Sequence, residues 1–560
     1  MGKFLDNDPE LQAIIGGTPT ASSTSILSGF NSPYDGASQV AREVALWNPI
    51  EGSADQEMLG DKPILDARSR DMMRNDAFVQ SGANMQKDHI VGSQYLLNSK
   101  PNHTALGLDE VWAKEFQEEV ESKFTLAANS INCWFDAGRK NTFSELIRLA
   151  VAVHMAGGEV LASSEWIRDP IRPFNTAIQM IDVERLSTPA GMIENRFLRS
   201  GIVKDKYGAP LAYHIRKSHP NEWYDGENYK WDLVPTYKPW GRKVVEHIFE
   251  QNRPDQTRSV GMLASALSEL KITKQFRKTA IQRQIMDASF AASIESELPT
   301  DAVYAAMGAG ASNPQQIQEA ISAYSKGFLS SVNQYSGSKG LKIDGVRIPH
   351  FHPGTKLNVR PVGHGGPLGT DFEKSLLRYL AASMGISYEQ LSKDFSDSNY
   401  SNFKAASNET YRRMMSLKKM VADRVATWIF NLWLEEMLAK GMIDSLPKNA
   451  PNFYERLNRE AYTSCEWIGA DRGQVDELKE TQAAVIRLHN CLSTHEEELG
   501  RRGKDYRKVF IQREQEIKEM KERGIEINPA DNSINALSAS EKTRAPRDSK
   551  TGGKDVKNAA

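Results

Sequence analysis

The sequence predicts an α+β, mainly helical fold divided into several parts, and three observations predict it. Apolar residues recur at helical spacing over long stretches, as in Val111, Trp112, Phe116, Val120 and Phe124. Short runs of strand character, bounded by turn residues, gather between those stretches at 160–215, at 341–348 and around Pro353-Gly354. The chain has 560 residues, more than one compact core holds, so several sub-domains are expected.

The elements follow in order. Residues 16–38 are rich in Gly, Ser, Thr and Pro and too poor in apolar side chains to offset chain entropy. Helical periodicity then runs from Asp66 to Val91 and from Asp109 to Phe124. The pattern Thr142-x-x-Glu145 is a capping box opening a helix that stops at Gly157-Gly158. Val160 to Trp166 and Ile178 to Ile181 read as strands, and Gly201 to Lys204 with Pro210 to Ile215 read as a hairpin around Asp205-Lys-Tyr-Gly208. The first half is therefore a mixed α+β domain.

A helix predicted from about Met262 to Ile294 covers about 30 residues, or about 45 Å at about 1.5 Å per residue. Its apolar marks at Leu263, Leu267, Leu270, Ile281 and Ile285 are interrupted by Lys271, Lys274, Arg277, Lys278 and Arg283. Like charges on one helix repel unless something neutralises them. A solvated face accounts for such a run. An insertion follows, with a helix opened by Asn313-Pro314 and a hairpin Leu341 to Ile348 whose Asp344-Gly345 pair suits a type I′ turn. Thr370-x-x-Glu373 caps a helix with Phe372, Leu376, Leu377 and Leu380 on one face until Gly385 ends it. From Ser387 to Ser401 small hydroxyl and amide side chains compete with the backbone, which predicts a loop. Phe403 to Lys440 reads as a long helix with Met414, Leu417, Met420, Val421, Val425, Trp428, Ile429, Leu432 and Leu438 inward. From about Glu466 to Arg523 the chain reads as helical, and the alternating charges of Gln512 to Arg523 predict an exposed helix.

Composition excludes several classes. The formal net charge is −2, so a general cationic coat for nucleic acid is excluded and any DNA role must use local charge. Cys133, Cys465 and Cys491 are odd in number and lack CxxC spacing, which predicts reduced thiols. A run of about 18 apolar residues and a basic-apolar leader are both missing, so a soluble, non-secreted protein is expected. The phosphate-loop pattern Gly-x-x-x-x-Gly-Lys-Ser/Thr does not occur, and Gly308-Ala-Gly-Ala-Ser-Asn313 reads as a turn before a helix. His350-x-His352 with His364 offers imidazoles to a metal, but no cysteine or carboxylate cluster nearby completes a tetrahedral set, so no metal is expected. No catalytic residue and no cofactor are expected either.

The words Glu373-x-Ser-Leu-Leu-Arg-Tyr-Leu-Ala-Ala382, Gly385-Ile-Ser-Tyr-Glu-Gln-Leu-Ser-x-Asp394 and Asn399-Tyr-Ser401 resemble the portal proteins of lambda-like tailed bacteriophages. So do Asp66-Ala-Arg-Ser-Arg-Asp71, Asp88-His-Ile-Val-Gly-Ser93, Val245-Glu-His-Ile-Phe249, Gln256-Thr-Arg258, Trp467-Ile-Gly469, Lys479-Glu480 and Leu492-Ser-Thr494. The resemblance runs in order over roughly residues 40 to 515.

That resemblance implies a portal fold of wing, stem, clip and crown, closing into a dodecameric ring with a central channel. Residues 1–45 would be a flexible arm, 46–255 the wing, 256–294 and 370–386 two stem helices, and 295–369 the clip. A tunnel loop would lie at 387–402, a long helix and its return at 403–465, the crown at 466–526 and a disordered tail at 527–560. In the tunnel loop Ser392, Lys393, Asp394, Ser396, Asp397, Ser398 and Asn399 would face the channel. Lys271, Lys274, Arg277 and Lys278 would face DNA or a neighbouring subunit, and Lys342, Asp344 and Arg347 would serve docking at the clip. The implied partners are double-stranded DNA without sequence preference, the terminase large subunit, major capsid and scaffold proteins and head-tail connector proteins, with no membrane. The implied place is the capsid portal vertex of the virion, reached from the host cytoplasm during assembly. Two other classes compete: a packaging enzyme, an ATPase or nuclease, which an ATPase assay would reveal, and a minor capsid or scaffold protein, which would form no central hole.

Overall fold

The computed structural model describes residues 42–44, 46–49, 51–222, 224–289, 322, 326, 341–343, 346–348, 370–396, 399–473 and 476–525, with backbone alone for 283–289, the two short strands at 341–348 and residues 370 and 371. Most of the predicted arm, most of the clip with its histidines, Asp344, Asp397, Ser398 and the tail lie outside the described residues.

The chain begins with helices α1 (Ala54–Met58), α2 (Lys62–Asn75) and α3 (Ala77–Ile90), then strand β1 (Leu96–Ser99), α4 (Glu110–Ala128) and α5 (Phe143–Gly157). Strands β2 (Glu159–Trp166), β3 (Thr176–Ile181), β4 (Leu198–Arg199), β5 (Ile202–Lys204), β6 (Pro210–Arg216), β7 (Trp231–Pro235) and β8 (Val245–Phe249) follow. Next come α6 (Leu267–Ser289), β9 (Leu341–Ile343), β10 (Val346–Ile348), α7 (Thr370–Met384), α8 (Tyr388–Ser392) and α9 (Tyr400–Leu417). A π turn at Lys418–Ala422 leads into α10 (Asp423–Ala439), then β11 (Cys465–Ile468), α11 (Glu477–His489), α12 (His495–Gly500) and α13 (Tyr506–Glu522). The chain divides into two compact units, one of residues 1–264 with 398–560 and one of residues 265–397.

In the first unit the helical run predicted from Asp66 to Val91 is two helices. Asp76 adopts an extended backbone and its carboxylate accepts from the amides of Phe78 at 3.0 Å and Val79 at 3.2 Å, so it ends α2 and caps α3. The capping box of α5 forms as predicted, with the Thr142 amide and hydroxyl both 2.8 Å from Glu145 Oε2. Gly158 at φ +76° then ends the helix.

Phe124 sits at the centre of the core, with ring centroids of Phe135, Phe143, Phe430, Trp433 and Trp467 between 5.0 and 5.9 Å away. These rings come from α4, α5, α10, β11 and, for Phe135, the connection between α4 and α5, so one aromatic cluster joins early and late parts of the chain. The predicted α4 stripe holds at Trp112, Phe116, Val120 and Phe124 but not at Val111, which is 63% exposed. Strand β11 corrects the helical reading of the segment that follows Glu466: it pairs antiparallel with β1, placing Leu97 opposite Trp467. Helices α11 to α13 bury no residue, as the alternating charges predict for 512–523.

Sheet order is β3-β2-β8 in one antiparallel sheet and β4-β5-β6-β7 in another. The buried residues Leu161, Ile181, Ile202, Tyr213, Ile215 and Val245 form one cluster between them. The predicted hairpin is β5-β6, closed by Asp205, whose carboxylate accepts from the amides of Tyr207 and Ala209 at 2.8 Å each.

In the second unit α6 and α7 run antiparallel, because Phe276 meets Phe372 with centroids 5.2 Å apart, Arg277 meets Glu373, and Tyr379 reaches back to Ser265. Leu270, Leu377 and Leu380 are buried, while Ile281 is 57% exposed. Thr370 is already helical, so it is not the predicted cap, and Glu373 pairs with Arg277 instead of closing a box. Strands β9 and β10 pair antiparallel across two connecting residues and set Lys342 opposite Arg347.

Candidate nucleic-acid interface and its support

The polar segment predicted as a loop from Ser387 to Ser401 is a loop only in its middle. Ser387 caps α8, accepting from the Gln390 amide at 3.3 Å while Gln390 Oε1 accepts from the Ser387 amide at 3.3 Å. The Ser-x-x-Gln box outweighs the small polar residues locally. Ser392 is the last residue of α8, and Lys393 follows in the left-handed region at φ 60° with its side chain exposed. Asp394 folds over the next turn, accepting from the Ser396 amide at 3.2 Å and from the Ser396 hydroxyl. Those bonds hold its carboxyl below the usual range.

Asn399 is the N-cap of α9, its Oδ1 accepting from the Asn402 amide at 2.9 Å. The helix read as starting at Phe403 thus starts at Tyr400, because the asparagine cap satisfies an orphan amide there. Of the predicted channel residues, Asp394, Ser396 and Asn399 hold backbone shape, and Lys393 is left pointing outward as an exposed cation.

On α6, Lys271, Lys274 and Lys278 are exposed and Arg277 is not. Its Nε lies 2.6 Å from Glu373 Oε1, the two side chains being 25% and 33% exposed. The basic face therefore divides into three exposed lysines and an arginine that fastens the helix pair. A partly exposed pair contributes on the order of 0.5 kcal/mol, so Arg277→Ala should lower the stability of the second unit by less than about 1 kcal/mol. A larger loss in chemical denaturation would show that Arg277 does more than fasten α7.

Sequence reasoning missed a buried ion network in the first unit. Glu159, at the start of β2, is fully buried and receives Arg258, whose Nε lies 2.9 Å from Oε1, and His247, whose Nε2 lies 3.0 Å from Oε2. Lys62 Nζ stands 3.2 Å from Glu159, 3.0 Å from Asp66, and donates to the carbonyls of Gly157 at 2.9 Å and Ser259 at 2.6 Å. Arg258 also donates to the carbonyls of Leu186 at 2.9 Å and Val183 at 2.7 Å. Burial pushes the Glu159 carboxyl up, but Arg258, Lys62 and His247 outweigh it and hold it well below the ordinary range. For Asp66 burial wins over Lys62 and its carboxyl is raised.

The backbones in this region touch. A Cβ on Gly158 would stand 2.1 Å from the Val260 carbonyl oxygen, and one on Gly261 would stand 2.1 Å from that of Ala156. The segment 258–261, which precedes the second unit in sequence, is thus held by side-chain charge and by contact that only glycine permits. Asp66, His247 and Arg258 each belong to a different family word and meet only here.

A second lock surrounds the π turn. Lys418 Nζ lies 2.8 Å from Asp423 Oδ1 and 2.8 Å from the Trp467 carbonyl oxygen, and the Tyr95 hydroxyl donates to the same carboxylate. Tyr95 also stacks on Trp467 at 5.6 Å. Burial, then Asp423, raises the Tyr95 hydroxyl well above its ordinary value, so it stays a proton donor.

His154 on α5 is 7% exposed and its Nε2 is buried without a hydrogen-bond partner among the described residues. Burial pushes its imidazole down to about 4. The folded value lies below the unfolded one, so the stability it contributes is present above pH 6.5 and is lost as pH falls toward 4. Urea titrations at pH 7 and pH 5 should differ by about 2 kcal/mol from this group, and His154→Leu should remove that difference. An unaltered pH dependence in the variant would refute the assignment.

Buried charges here fix backbone crossings, and loop carboxylates and amides cap turns and helices. Residues 41–418 match the family of phage portal proteins of the lambda family, and the chain belongs to that family. It is 33% identical to portal protein B of Escherichia phage lambda over 88% of this chain and 90% of that one. It is 34% identical to the portal protein of Escherichia phage N15 over 86% and 89% of the two chains. Both relatives are named portal proteins, and as a member of that family the chain is no enzyme. Among solved structures, a chain in the neck of an empty gene transfer agent particle covers 81% of this chain and 95% of its own, at 12% identity and a TM-score of 0.38, too distant to be drawn upon. No helix among the described residues is long and apolar enough to cross a membrane.

Proposed function

We propose that twelve copies of this portal protein close into a ring at one capsid vertex, with a central channel through which double-stranded DNA is packaged and later ejected. The observation that carries this reading is the antiparallel pair α6 and α7, followed by α8 and by an exposed lysine on a turn of small polar residues, in a chain of the portal family. Cyclic symmetry would turn each Lys393 into a circle of cations around the axis. Passage demands weak contacts without sequence preference, because many tight phosphate contacts would hold the DNA in place. Asp394 beside Lys393 and a net charge of −2 suit sliding.

In this reading residues 295–369, with Lys342, Asp344 and Arg347, receive the terminase large subunit and later the head-tail connector proteins. Capsid and scaffold proteins contact the outside of the ring, first in the host cytoplasm and then in the virion. End-on electron microscopy of the purified chain tests the proposal: rings with a central hole are expected, and a strictly monomeric protein would overturn it. Lys271→Ala with Lys274→Ala should then change DNA retention in a salt-dependent way while rings still form. Unchanged retention would return those lysines to an ordinary solvated face.

A further inference from the structure

Outside the buried network, the first unit brings an imidazole and two carboxylates together at the ends of its two sheets. His219 Nε2 and one oxygen each of Asp182 and Glu184 lie within 4.8 Å of one another, the one such set of three donors among the described residues. Asp182 and Glu184 belong to the short 3₁₀ turn that follows β3, and His219 lies just beyond β6. Arg185 joins these two segments, its Nε donating to the Arg216 carbonyl at 2.8 Å and its Nη2 to that of Lys217 at 2.9 Å. Glu222 Oε2 accepts from the His219 amide at 3.2 Å and steadies the loop from the other side. Arg185 and Glu222 therefore hold the donors in place independently of any ion.

The cation at this cluster is Arg70 of α2, and it is free to leave. Its guanidinium pairs with Glu184 and stands 3.7 Å from Asp182, and its side chain is 30% exposed. Asp182 is 46% exposed and His219 32%, so solvent reaches the donors from outside. Two carboxylates carry two negative charges, of which Arg70 offsets one and a divalent ion offsets both. All-oxygen sites suit Ca²⁺ and Mg²⁺, whereas an imidazole beside carboxylates suits Zn²⁺ and its first-row neighbours. Zn²⁺ bonds of about 2.0–2.1 Å set tetrahedral donors about 3.3 Å apart. His219 Nε2 stands 2.6 Å from Glu184 Oε2, so an ion replaces that hydrogen bond after a shift of less than about 1 Å.

We propose that Asp182, Glu184 and His219 bind a Zn²⁺ ion in exchange for Arg70, with water at the fourth position. The ion pins the end of β3 to the end of β6 and so clasps one sheet of the first unit to the other. Calorimetric titration of the EDTA-treated full-length chain with Zn²⁺ tests it, with Co²⁺ absorption spectra as a second readout. His219→Ala should bind one Zn²⁺ fewer per chain, with its circular dichroism unchanged, and Zn²⁺ should raise its melting temperature less than that of the unaltered chain. His219→Cys should regain the ion and give bound Co²⁺ a thiolate charge-transfer band. Asp182→Asn, which keeps the shape of the turn, should weaken the site roughly tenfold or more. Arg70→Gln should tighten it roughly tenfold, because the competing cation is gone. A chain that binds no Zn²⁺, or the same number of ions in His219→Ala as in the unaltered chain, would overturn the proposal. Weaker binding in Arg70→Gln would overturn it too, by showing that Arg70 arranges the donors rather than competing for them.

Discussion

Arg258→Met is expected to lower the stability of the first unit by about 3–5 kcal/mol, the range for leaving one member of a buried ion pair without its partner. The substitution leaves Glu159 with no exposure, facing Lys62 and His247 alone, and frees the carbonyls of Val183 and Leu186. Removing both charges together, Glu159→Met with Arg258→Met, should cost less than the single change, since Lys62 keeps Asp66 at 3.0 Å. Urea unfolding followed by the fluorescence of the buried Trp433 and Trp467 reads both variants. A single-variant loss below about 1 kcal/mol would sink the argument. The pH dependence has a definite sign. Glu159 has its folded carboxyl depressed, so its contribution is present above about pH 4.5 and disappears as pH falls below that value. Asp66 acts in the opposite sense, because its raised carboxyl favours the folded state on protonation.

Deleting Lys393 to Ser398 should leave rings that assemble and enter proheads but do not package or retain a full-length genome, a loss of several orders of magnitude in infectious titre. The deletion spares the Ser387 box of α8 and the Asn399 cap of α9, so both flanking helices keep their terminal hydrogen bonds. It removes the exposed Lys393 and the Asp394 turn. Genome-filled, infectious particles would refute a role at the channel, and failure to form rings would show an assembly contact instead. Rings of the deletion variant seen by electron microscopy, together with the DNA content of purified heads, separate these outcomes.

Much of the fold was legible because local periodicity and capping decided it. The α5 box at Thr142 and Glu145, the β5-β6 hairpin at Asp205 and the apolar faces of α4 and α10 all depend on residues close in sequence. Where the reading erred, a local signal had been overlooked or a distant partner was in control. Ser387 and Gln390 carry a capping box that announces α8, and Asp76 followed by an apolar run announces a new helix. Strand β11 could not be read from Cys465 to Ile468 alone, since its partner β1 lies more than 360 residues earlier. Nor could the ion network. Glu159 and Arg258 are ordinary charges in sequence, 99 positions apart, and only folding removes both from water. The one hint was a charged residue directly ahead of the apolar run Val160-Leu-Ala.

The π turn at Lys418–Ala422 has a consequence for the phase of the long helix. A π turn holds one residue more than the α ladder, and each residue of an α-helix advances the side chains by about 100°. Thr410, Met414 and Leu417 before the turn, and Val425, Ile429 and Trp433 after it, are all buried in the first unit. An unbroken α-helix would bring Val425 to within about 20° of Met414, and the surplus residue sets the two about 80° apart on the same buried half. Loss of one residue from 418 to 422 would take up that surplus and close the turn into a plain α ladder, leaving the buried faces of α9 and α10 in the phase they hold, whereas a loss inside α9 or α10 would turn the face beyond it by about 100°. The π turn is therefore the one stretch of the long helix whose length can shrink by a residue without turning a buried face to water.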